Sequence, residues 1–560
     1  MLEKDPKIII TGEKLVRRVF EGGNQALPVL DSALHNNGFN NVVQFDMEDP
    51  RNTFERLLHE AESANLIMFS GTFSVQLDQV DRHVSVLRRH LQNIRRGDVP
   101  IIVGGYGAAG VERYARYAPF IDAFSYGPGI EQVPQIARSV QEGRFWQDLR
   151  SSRIPGLSYY DTDTERFVKG KDIPMPSAEG LGTIDQLYRR NYLPIVHDMD
   201  IFQDENGNTL PTFQLVTELG CPFDCAFCSE SGGEDQMMFF SEVLRRGVIE
   251  RTKKGTEVPL ETIEKTFRKA RELGYRGVYF DIETAFRDWK RMESILEMAH
   301  SYGFVSGLNT RIDTARQDRI ERAAQLGVVY AFFGVEHMNP QVLLAVDKFM
   351  HPDLRMRARV AQQYFDRVRD IFRWMRNSGS LFLIMGLPKV DNESWEKVLN
   401  GEITKTHEMV YESTSFEDDV LAIKKSIAEC RPRYFNANVL RFNPDTSMAW
   451  QRRFACVRPS GEAKLDAVYN VPRVARLLGI PLQEFHPIYR FFEGVEDNQP
   501  YTTAMNPQRA YDTAAVILAE ASKYGTEVYF DYALAENGLV TRDSSGHYKI
   551  SSLKDFEGLK

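Results

Sequence analysis

Three cysteines within eight residues are the part of this sequence best suited to chemistry. The segment Glu218-Leu-Gly-Cys221-Pro-Phe-Asp-Cys225-Ala-Phe-Cys228 follows directly on a predicted strand, so it forms a loop that curls three thiolates around one group. Thiolates in such loops hold iron–sulfur clusters. Three ligands on a four-iron, four-sulfur (4Fe–4S) cluster leave one iron open, and a small molecule is then able to bind the metal directly. The motif therefore predicts a 4Fe–4S cluster on Cys221, Cys225 and Cys228.

Zinc or inert thiols are the alternatives for this motif. A structural zinc site requires a fourth ligand close by. The nearest histidines in the sequence are His197 and His300, both distant from the motif. An aromatic residue, Phe227, stands directly before the last cysteine and favours the cluster. The other two cysteines, Cys430 and Cys456, do not lie at a motif distance from another cysteine, so we expect both to be buried free thiols.

The cysteine spacing, with an aromatic residue before the last cysteine, resembles the signature of the radical S-adenosylmethionine (radical SAM) superfamily. Further resemblances to the superfamily follow in the expected order over residues 211–450: Tyr279-Phe280-Asp281-Ile282-Glu283, Asn309-Thr310-Arg311-Ile312-Asp313, Gly334-Val335-Glu336-His337, Lys348, Met385-Gly386-Leu387-Pro388 and Pro444-Asp445-Thr446. His337 stands where a serine is frequent, and Asp445 stands where the superfamily often has glycine. These two departures argue against assigning the chain to a named subfamily.

The resemblance implies how the site works. SAM chelates the open iron through its amino and carboxylate groups, and one electron from the cluster cleaves SAM to a 5′-deoxyadenosyl radical. Arg311 would meet a carboxylate, and Glu283 or Glu336 would accept hydrogen bonds from the amine or ribose hydroxyls. The full set of expected SAM contacts is Phe227, Glu283, Asn309, Arg311 and Glu336. For each charged residue the alternative is a salt-bridged position at the rim of the sheet.

The first 145 residues alternate short apolar runs with helical patterns, which is typical of a parallel sheet covered by helices on both faces. We expect strands at Ile8–Thr11, Val42–Phe45, Leu66–Ser70, Ile101–Gly104 and Ala123–Tyr126. Five such strands with long connections suit right-handed crossovers and predict a flavodoxin-like order. Ligands of these sheets bind at the carboxyl ends of the strands.

Small residues gather at those strand ends, in the loops Thr11-Gly12, Ser70-Gly71-Thr72, Gly104-Gly105-Tyr106-Gly107 and Tyr126-Gly127-Pro128-Gly129. Glycine lets a large ligand approach the backbone closely. For any single loop the alternative is that glycine merely ends the strand. Four such loops at one edge favour a ligand.

The rest of the chain has a second alternating pattern. Residues 146–210 are rich in Pro and Gly and predict a linker with a small hairpin. Strands are then expected at Phe213–Thr217, Gly277–Phe280, Val305–Asn309, Tyr330–Gly334, Leu381–Met385 and Phe435–Leu440. They predict an α/β chain: a flavodoxin-like (Rossmann-type) domain at 1–145, a partial (β/α)6 TIM-like radical SAM barrel at 211–450, and a small, mainly helical C-terminal cap at 451–560.

A flavodoxin-like domain, a linker and a radical SAM core together resemble the cobalamin-dependent group of the superfamily, over residues 5 to 450. Many cobalamin domains supply an axial histidine from Asp-x-His-x-x-Gly after the first strand, whereas this chain has Thr11-Gly12-Glu13-Lys14-Leu15 there. The partial match around His83 lacks the glycine and lies in a predicted helix, so we expect cobalamin without a histidine ligand. A flavin or an empty domain is the alternative. The resemblance implies cobalamin contacts from Thr11, Gly12, Ser70, Gly71, Thr72, Phe73, Ser74, Gly104, Gly105, Tyr106, Gly107, Tyr126, Gly127 and Gly129.

The resemblance implies methyl transfer to a carbon of a small-molecule or natural-product intermediate. One SAM would methylate cobalamin, and a second would yield the radical that abstracts a substrate hydrogen. Rearrangement, ring contraction or cyclisation is the first alternative, followed by a radical SAM enzyme without B12 or a non-catalytic iron–sulfur protein. A methylthiotransferase would carry a second cluster near the N-terminus, but residues 1–220 contain no cysteine. A flavodoxin or ferredoxin is the expected electron donor.

Composition limits the remaining function classes. The chain has 560 residues, 42% of them hydrophobic and 26% charged, with 69 basic and 78 acidic side chains and a net charge of −9. At about 150 residues per domain, two to four domains are expected. The sequence has no long basic run of the kind that binds nucleic acid. It also has no apolar stretch that approaches the roughly 18 residues of a membrane span. We therefore expect a cytoplasmic enzyme with no nucleic-acid or membrane partner.

Overall fold

The chain forms two large parallel sheets in a computed structural model. The structure describes residues 5–12, 26–47, 49, 51–70, 77–105, 119–125, 129–171, 176–189, 202–203, 206–221, 223, 225–228, 256–349, 351–375, 378–439, 507–530, 540–542 and 548–550. None of the helices in these ranges is both long and apolar enough to cross a bilayer.

The first sheet confirms the flavodoxin-like arrangement. Its parallel strands β1 to β5 are Ile8–Gly12, Val42–Asp46, Leu66–Ser70, Ile101–Gly104 and Ala123–Ser125. They lie in the order β2-β1-β3-β4-β5. The helices of this part of the chain, α1 to α5, are Ala26–Asn36, Phe54–Ala61, Leu77–Asn93, Gly129–Gln141 and Phe145–Arg150.

Strand β1 shows why both faces of this sheet are covered. Successive side chains of a strand point to opposite faces. Ile9 packs among residues of α2 and α3, such as Leu57 and Leu87. Ile8 and Ile10 pack on the opposite side, with residues of α1 and α4. A continuous run of isoleucine is therefore required, because neither face meets water.

A hairpin extends the first sheet at its β5 edge. Strands β6 (Leu157–Asp161) and β7 (Arg166–Val168) pair with each other in antiparallel fashion, as the sequence predicted for this segment. Strand β6 also pairs with β5, where Phe124 lies opposite Ser158. The hairpin is therefore part of the first sheet rather than of a separate linker.

A bridging segment, residues 178–189, joins the first sheet to the second. It begins with the short helix α6 (Ala178–Gly182). Ser32 of α1 accepts a 2.9 Å hydrogen bond from the backbone N–H of Asp185. The side-chain amide of Gln186 exchanges two hydrogen bonds with the backbone of Val216, at 2.7 and 2.9 Å. Gln186 thus holds the chain five residues before the first cysteine of the motif.

The remaining strands, β8 to β20, are Thr212–Leu215, Glu218–Leu219, Thr256–Glu257, Gly277–Phe280, Val305–Arg311, Val328–Glu336, Gly379–Met385, Pro388–Val390, Tyr411–Ser413, Tyr434–Val439, Glu527–Phe530, Val540–Arg542 and Tyr548–Ile550. The remaining α-helices, α7 to α14, are Leu260–Glu272, Trp289–Ser301, Gln317–Gln325, Pro340–Ala345, Leu354–Met375, Asn392–Asn400, Phe416–Cys430 and Pro507–Tyr524. A 3₁₀ turn covers Thr406–Glu408.

The second sheet contains all six strands expected for the radical SAM core. Its order is β18-β17-β14-β13-β12-β11-β8, and all neighbouring strands are parallel. One face packs against the helices. On the other face, Phe202 lies among three tyrosines of the strands, Tyr279, Tyr330 and Tyr434. A Cβ atom at Gly307 would lie 2.8 Å from the Phe202 ring, so glycine there leaves room for this aromatic residue.

The expectation of a separate C-terminal cap is wrong for residues 507–530. Helix α14 packs against α13, and β18 pairs in parallel with β17, where Phe435 lies opposite Val528. This segment adds a seventh strand because an unpaired β17 edge would leave backbone hydrogen-bonding groups without partners. Residues 441–506, which include Pro444-Asp445-Thr446 and Cys456, lie outside the described residues.

Candidate active site at the carboxyl edge of the second sheet

The cysteine loop begins where β8 and β9 end. Gly220 has φ +92°, a left-handed conformation that favours glycine, and it turns the chain into Cys221. The backbone N–H of Cys228 donates to the carbonyl of Cys225 at 3.1 Å, which closes a turn. The N–H of Ala226 donates to the carbonyl of Val346 at 3.0 Å. The loop is therefore tied to the segment that follows α10.

Burial raises the pKa of the Cys221 thiol to about 12, and nearby Glu283 and Cys225 contribute in the same direction. A thiol with this pKa stays protonated at neutral pH unless a cation compensates the thiolate charge. Iron supplies such a charge, because metal ligation deprotonates a thiol. Buried cysteines gathered in one short loop therefore suit a metal cluster better than a solvent-exposed reactive thiol.

Arg311 lies at the end of β12 and faces this loop. Its Nη1 donates to Sγ of Cys225 at 3.2 Å. Nε and Nη2 each donate to a carboxylate oxygen of Asp313 at 2.9 Å, and Nη2 also donates to the carbonyl oxygen of Lys348. The guanidinium stacks on the Phe223 ring, 3.7 Å from its centroid. The side chain is only 6% exposed.

Glu336 lies at the end of β13 with φ +70°, a left-handed conformation that is rare for a residue other than glycine. Its Oε1 accepts a 2.8 Å hydrogen bond from Nζ of Lys348, and both side chains are buried. Its Oε2 is buried and has no hydrogen-bond partner among the described residues. A buried carboxylate oxygen without a donor is costly, so this atom is an acceptor site for a ligand.

His337 connects the loops after β13 and β14. The backbone N–H of Asn339 donates to His337 Nδ1 at 3.0 Å. Nδ1 is therefore the acceptor, and Nε2 carries the proton that faces Oδ1 of Asp419 at 3.3 Å. The same Asp419 oxygen accepts from the N–H of Gly386 at 3.4 Å. His337 and Asp419 are both fully buried, so this link holds the turn that follows Glu336.

Asn309 and Glu283 lie on the neighbouring strand ends. The hydroxyl of Tyr279 donates to Oδ1 of Asn309, which leaves the Nδ2 group of that amide as a donor. Glu283 follows β11 with part of its side chain open to solvent, while neighbouring protein limits the hydration of its carboxylate. This poor hydration, together with the carboxylates of Asp281 and Glu218, raises the pKa of Glu283 to about 7.

The first sheet presents small residues at its own carboxyl edge. The strand registers place Gly12 opposite Ser70, Ser70 opposite Gly104, and Gly104 opposite Ser125, so these residues form one row. Oγ1 of Thr11 is buried and has no hydrogen-bond partner among the described residues. The row therefore carries only small side chains, beside a buried hydroxyl that no described residue pairs with.

Gly105 and Gly129 lie beside this row. Gly105 has φ +106°, which only glycine adopts readily. A Cβ atom at Gly129 would lie 2.8 Å from Leu30, so this glycine also permits close packing of α4 on α1. The other expected contacts, Gly71, Thr72, Phe73, Ser74, Tyr106, Gly107, Tyr126 and Gly127, lie outside the described residues.

The model of the radical SAM superfamily matches residues 216–400, which include the cysteine loop, Arg311, Glu336 and Lys348. Residues 216–400 therefore form a domain of the radical SAM superfamily. Membership implies a 4Fe–4S cluster and SAM. The three cysteines fit the cluster, since they are gathered in one loop beside an N–H donor. Oε2 of Glu336 fits a polar group of SAM, since it lacks a donor.

Solved radical SAM structures show the same fold. The radical S-adenosylmethionine methyltransferase TsrM from Kitasatospora setae, with cobalamin and a 4Fe–4S cluster bound, is 15% identical, with a TM-score of 0.60 over 94% of this chain and 93% of that one. The same enzyme with tryptophan and a SAM analogue gives a TM-score of 0.56 over 81% and 78% of the two chains, at 14% identity. The similarity covers both large sheets of the present chain.

Two curated proteins are similar to this radical SAM chain in sequence. The uncharacterized methyltransferase PH0819 of Pyrococcus horikoshii is 23% identical over 310 residues, which are 55% of this chain and 58% of that protein. The anaerobic magnesium-protoporphyrin IX monomethyl ester cyclase of Rubrivivax gelatinosus is 27% identical over 138 residues, or 24% of this chain and 22% of that protein. The chain thus spans just over half of the first relative's length and about a fifth of the second's.

The structure brings together most of the side chains that the sequence marked for the radical SAM site. Arg311 lies against the cysteine loop. Lys348 links Arg311 to Glu336, since its carbonyl accepts from Arg311 and its Nζ donates to Glu336. The roles of Asp313, Asp419 and Tyr279 were not anticipated. The sequence did contain a signal for the Asp313 contact. Asp313 is a carboxylate two residues after Arg311 at the end of a strand, where the two side chains are able to pair. Phe227 packs at the edge of the second sheet's core.

Proposed function

We propose that this chain is a cobalamin-dependent radical SAM enzyme that transfers a methyl group to a carbon of a small-molecule or natural-product intermediate. The observation that carries the proposal is the combination of two sheets: a flavodoxin-like sheet with small residues at its carboxyl edge precedes a radical SAM sheet in one chain. Its support is the fold shared with TsrM over nearly the whole length of both chains.

Cobalamin fits the described part of the first sheet's edge. The row of Gly12, Ser70 and Gly104 has no large side chain that would keep a broad macrocycle from the strand ends, and the buried hydroxyl of Thr11 has no hydrogen-bond partner among the described residues. In this position cobalamin supplies a carrier for a methyl group. His83 lies in α3 and stacks on Phe54, so this proposal gives it no role as an axial ligand.

The residues of the second sheet bind and orient SAM in this proposal. Glu336 Oε2 accepts a hydrogen bond from the amine of SAM or from a ribose hydroxyl, and Lys348 holds the other oxygen of that carboxylate in place. Nδ2 of Asn309 donates to an acceptor on the ligand, because Tyr279 occupies the amide oxygen. Glu283 lies near Cys221, where poor hydration and the carboxylates of Asp281 and Glu218 raise its pKa.

The reaction needs one electron, and we propose a flavodoxin or ferredoxin as its source. The substrate is a small molecule in this account, since the net charge of −9 gives no general attraction for nucleic acid.

Cyclisation or rearrangement with the same cofactors is the second candidate. It rests on the similarity to the cyclase of Rubrivivax gelatinosus over 138 residues. Two methyltransferases among the similar proteins favour methyl transfer, whereas the cyclase match spans a smaller share of the chain.

The fate of the SAM methyl group separates the two candidates. We would supply anaerobically reconstituted protein with cobalamin, a reductant and SAM labelled in its methyl group. Candidate substrates would be the small molecules that enzymes encoded by neighbouring genes are expected to make. Methyl transfer predicts label in the corrinoid fraction and then on a carbon of the product. Formation of 5′-deoxyadenosine and product without label transfer would instead support cyclisation or rearrangement.

A further inference from the structure

We infer that Arg311 acts on the cluster rather than on SAM: it donates a hydrogen bond to the Cys225 thiolate and thereby makes the cluster easier to reduce. The inference rests on the superfamily's cluster and is independent of the proposed methyl transfer. Arg311 is a positioning residue in this role, since it acts through its contact with a cluster ligand.

The contacts of the guanidinium carry this assignment. Arginine has five N–H donors. In Arg311, Nε donates to Asp313, Nη2 donates to Asp313 and to the carbonyl of Lys348, and Nη1 donates to Cys225. Only one N–H, on Nη1, has no acceptor among these contacts. A bidentate clamp on the SAM carboxylate requires two parallel N–H groups, and Asp313 already occupies that pair.

The surroundings fix the guanidinium in this orientation. One face lies on the Phe223 ring, and the side chain is only 6% exposed. Phe223 belongs to the cysteine loop itself, between Cys221 and Cys225. The arginine therefore moves with the loop, and turning it towards another ligand would break its contacts with both Asp313 and Phe223.

The effect on reduction follows from charge. Reduction of a 4Fe–4S cluster from the 2+ to the 1+ state adds one electron to its iron atoms, and part of the added negative charge spreads onto the thiolate ligands. A hydrogen bond to a ligating sulfur stabilises the more negative state and raises the reduction potential. In a buried site the interaction is weakly screened. The Asp313 carboxylate opposes the arginine charge, so the two residues act in opposite directions.

The test is the midpoint potential of the cluster, measured by dithionite titration with redox mediators and electron paramagnetic resonance in the reconstituted full chain. Arg311→Gln should make reduction about tenfold less favourable, a shift of about 59 mV to lower potential for one electron. Asp313→Asn should shift the potential in the opposite direction, since it removes a negative charge and leaves the arginine in place. Opposite shifts are not expected from general damage to the fold.

Arg291 provides the matched control. Its Nη2 donates to the carbonyls of Thr217 and Val258, close to the strand that leads into the cysteine loop, and it bonds to none of the cysteines in the part of the chain that the structure describes. Arg291→Gln removes the same charge and should leave the potential unchanged. SAM affinity, measured on the oxidised cluster, should change less than threefold in Arg311→Gln.

Two results would overturn the inference. One is an unchanged potential in Arg311→Gln together with at least tenfold weaker SAM binding. That result would indicate that Arg311 binds the carboxylate of SAM. The other is the same potential shift in Arg291→Gln, which would indicate a general charge effect. If the parent chain assembles no cluster at all, the radical SAM assignment itself fails, and that outcome is distinct from both.

Discussion

Nζ of Lys348 lies 2.8 Å from Oε1 of Glu336, and both side chains are buried at the carboxyl edge of the second sheet. The same Nζ donates to the carbonyl of Gly334 at 2.9 Å. Lys348 therefore ties the carboxylate to the strand that precedes it, and Oε2 of Glu336 is left buried with no hydrogen-bond partner among the described residues.

Removing the lysine should release this carboxylate. Lys348→Met would leave Glu336 buried without its cation, at a cost of about 3 to 5 kcal/mol in the free energy of unfolding. We expect a lower melting temperature and SAM binding at least tenfold weaker, measured by equilibrium dialysis on protein with full iron content. Glu336→Gln, which keeps the shape of the side chain, should weaken SAM binding with a smaller loss of stability. Unchanged SAM affinity in both variants would contradict the placement of SAM against Glu336.

The three cysteines of the motif should be individually essential for the cluster, since thiolates supply all of its protein ligands. Cys221→Ala, Cys225→Ala and Cys228→Ala should each lose the cluster's visible absorption and most of the iron after anaerobic reconstitution. Cys430→Ala is the matched control, because Cys430 is a buried thiol at the end of α13. Full iron content in all three motif variants would refute the cluster assignment.

The link between His337 and Asp419 should support the left-handed turn at Glu336. His337→Ala removes a donor from a buried carboxylate, and we expect a loss of about 1 to 3 kcal/mol in the free energy of unfolding, with weaker SAM binding. His407→Ala, at an exposed histidine, is the control for stability. If His337→Ala loses stability but binds SAM like the parent, the link is structural only.

Asp31 should make stability depend on pH. It is fully buried in α1, where Gln44 donates to its Oδ2 at 2.7 Å and Arg189 lies 3.8 Å from Oδ1. Burial raises the pKa of Asp31, and hydrogen bonding and the charges of Arg189 and His35 oppose that shift only in part. The folded state therefore binds the proton more tightly than the unfolded state does.

The sign of the effect follows from this difference. The contribution of Asp31 to stability is fully present below its unfolded pKa and is lost as the pH rises through its raised folded pKa. Asp31→Asn should remove this part of the pH dependence, so the variant gains melting temperature relative to the parent at pH 8 more than at pH 4. If the melting temperatures of the two proteins differ by the same amount at every pH in this range, the pKa of Asp31 is not shifted by folding.

Much of the fold follows from local pattern. Strands β3, β4 and β11 begin and end where the sequence predicts, because each is a short apolar run bounded by polar residues, proline or glycine. The order of the first sheet follows from the handedness of its crossovers. Strand β18 was missed because its four residues, Glu527–Phe530, pair with a strand nearly a hundred positions earlier. No local signal identifies that partner.

The site was predicted less completely than the fold. The motif identified Arg311 and Glu336, because charged residues at successive strand ends must meet at one edge. Their partners depend on how neighbouring loops pack. The contact of Arg311 with Cys225 spans 86 positions, and the link of His337 to Asp419 spans 82. Such pairings appear only once the strand order and the helix positions are known.

Cobalamin content tests the central claim most directly. The chain should be reconstituted anaerobically with iron, sulfide and excess hydroxocobalamin and then separated from free ligand. We predict about one cobalamin per chain beside one 4Fe–4S cluster, and a cob(II)alamin electron paramagnetic resonance spectrum without nitrogen splitting from an axial histidine. Gly105→Trp should retain the cluster and lose cobalamin, because an indole would fill the edge next to the row of small residues. A parent protein with a full cluster and no bound cobalamin would contradict the account.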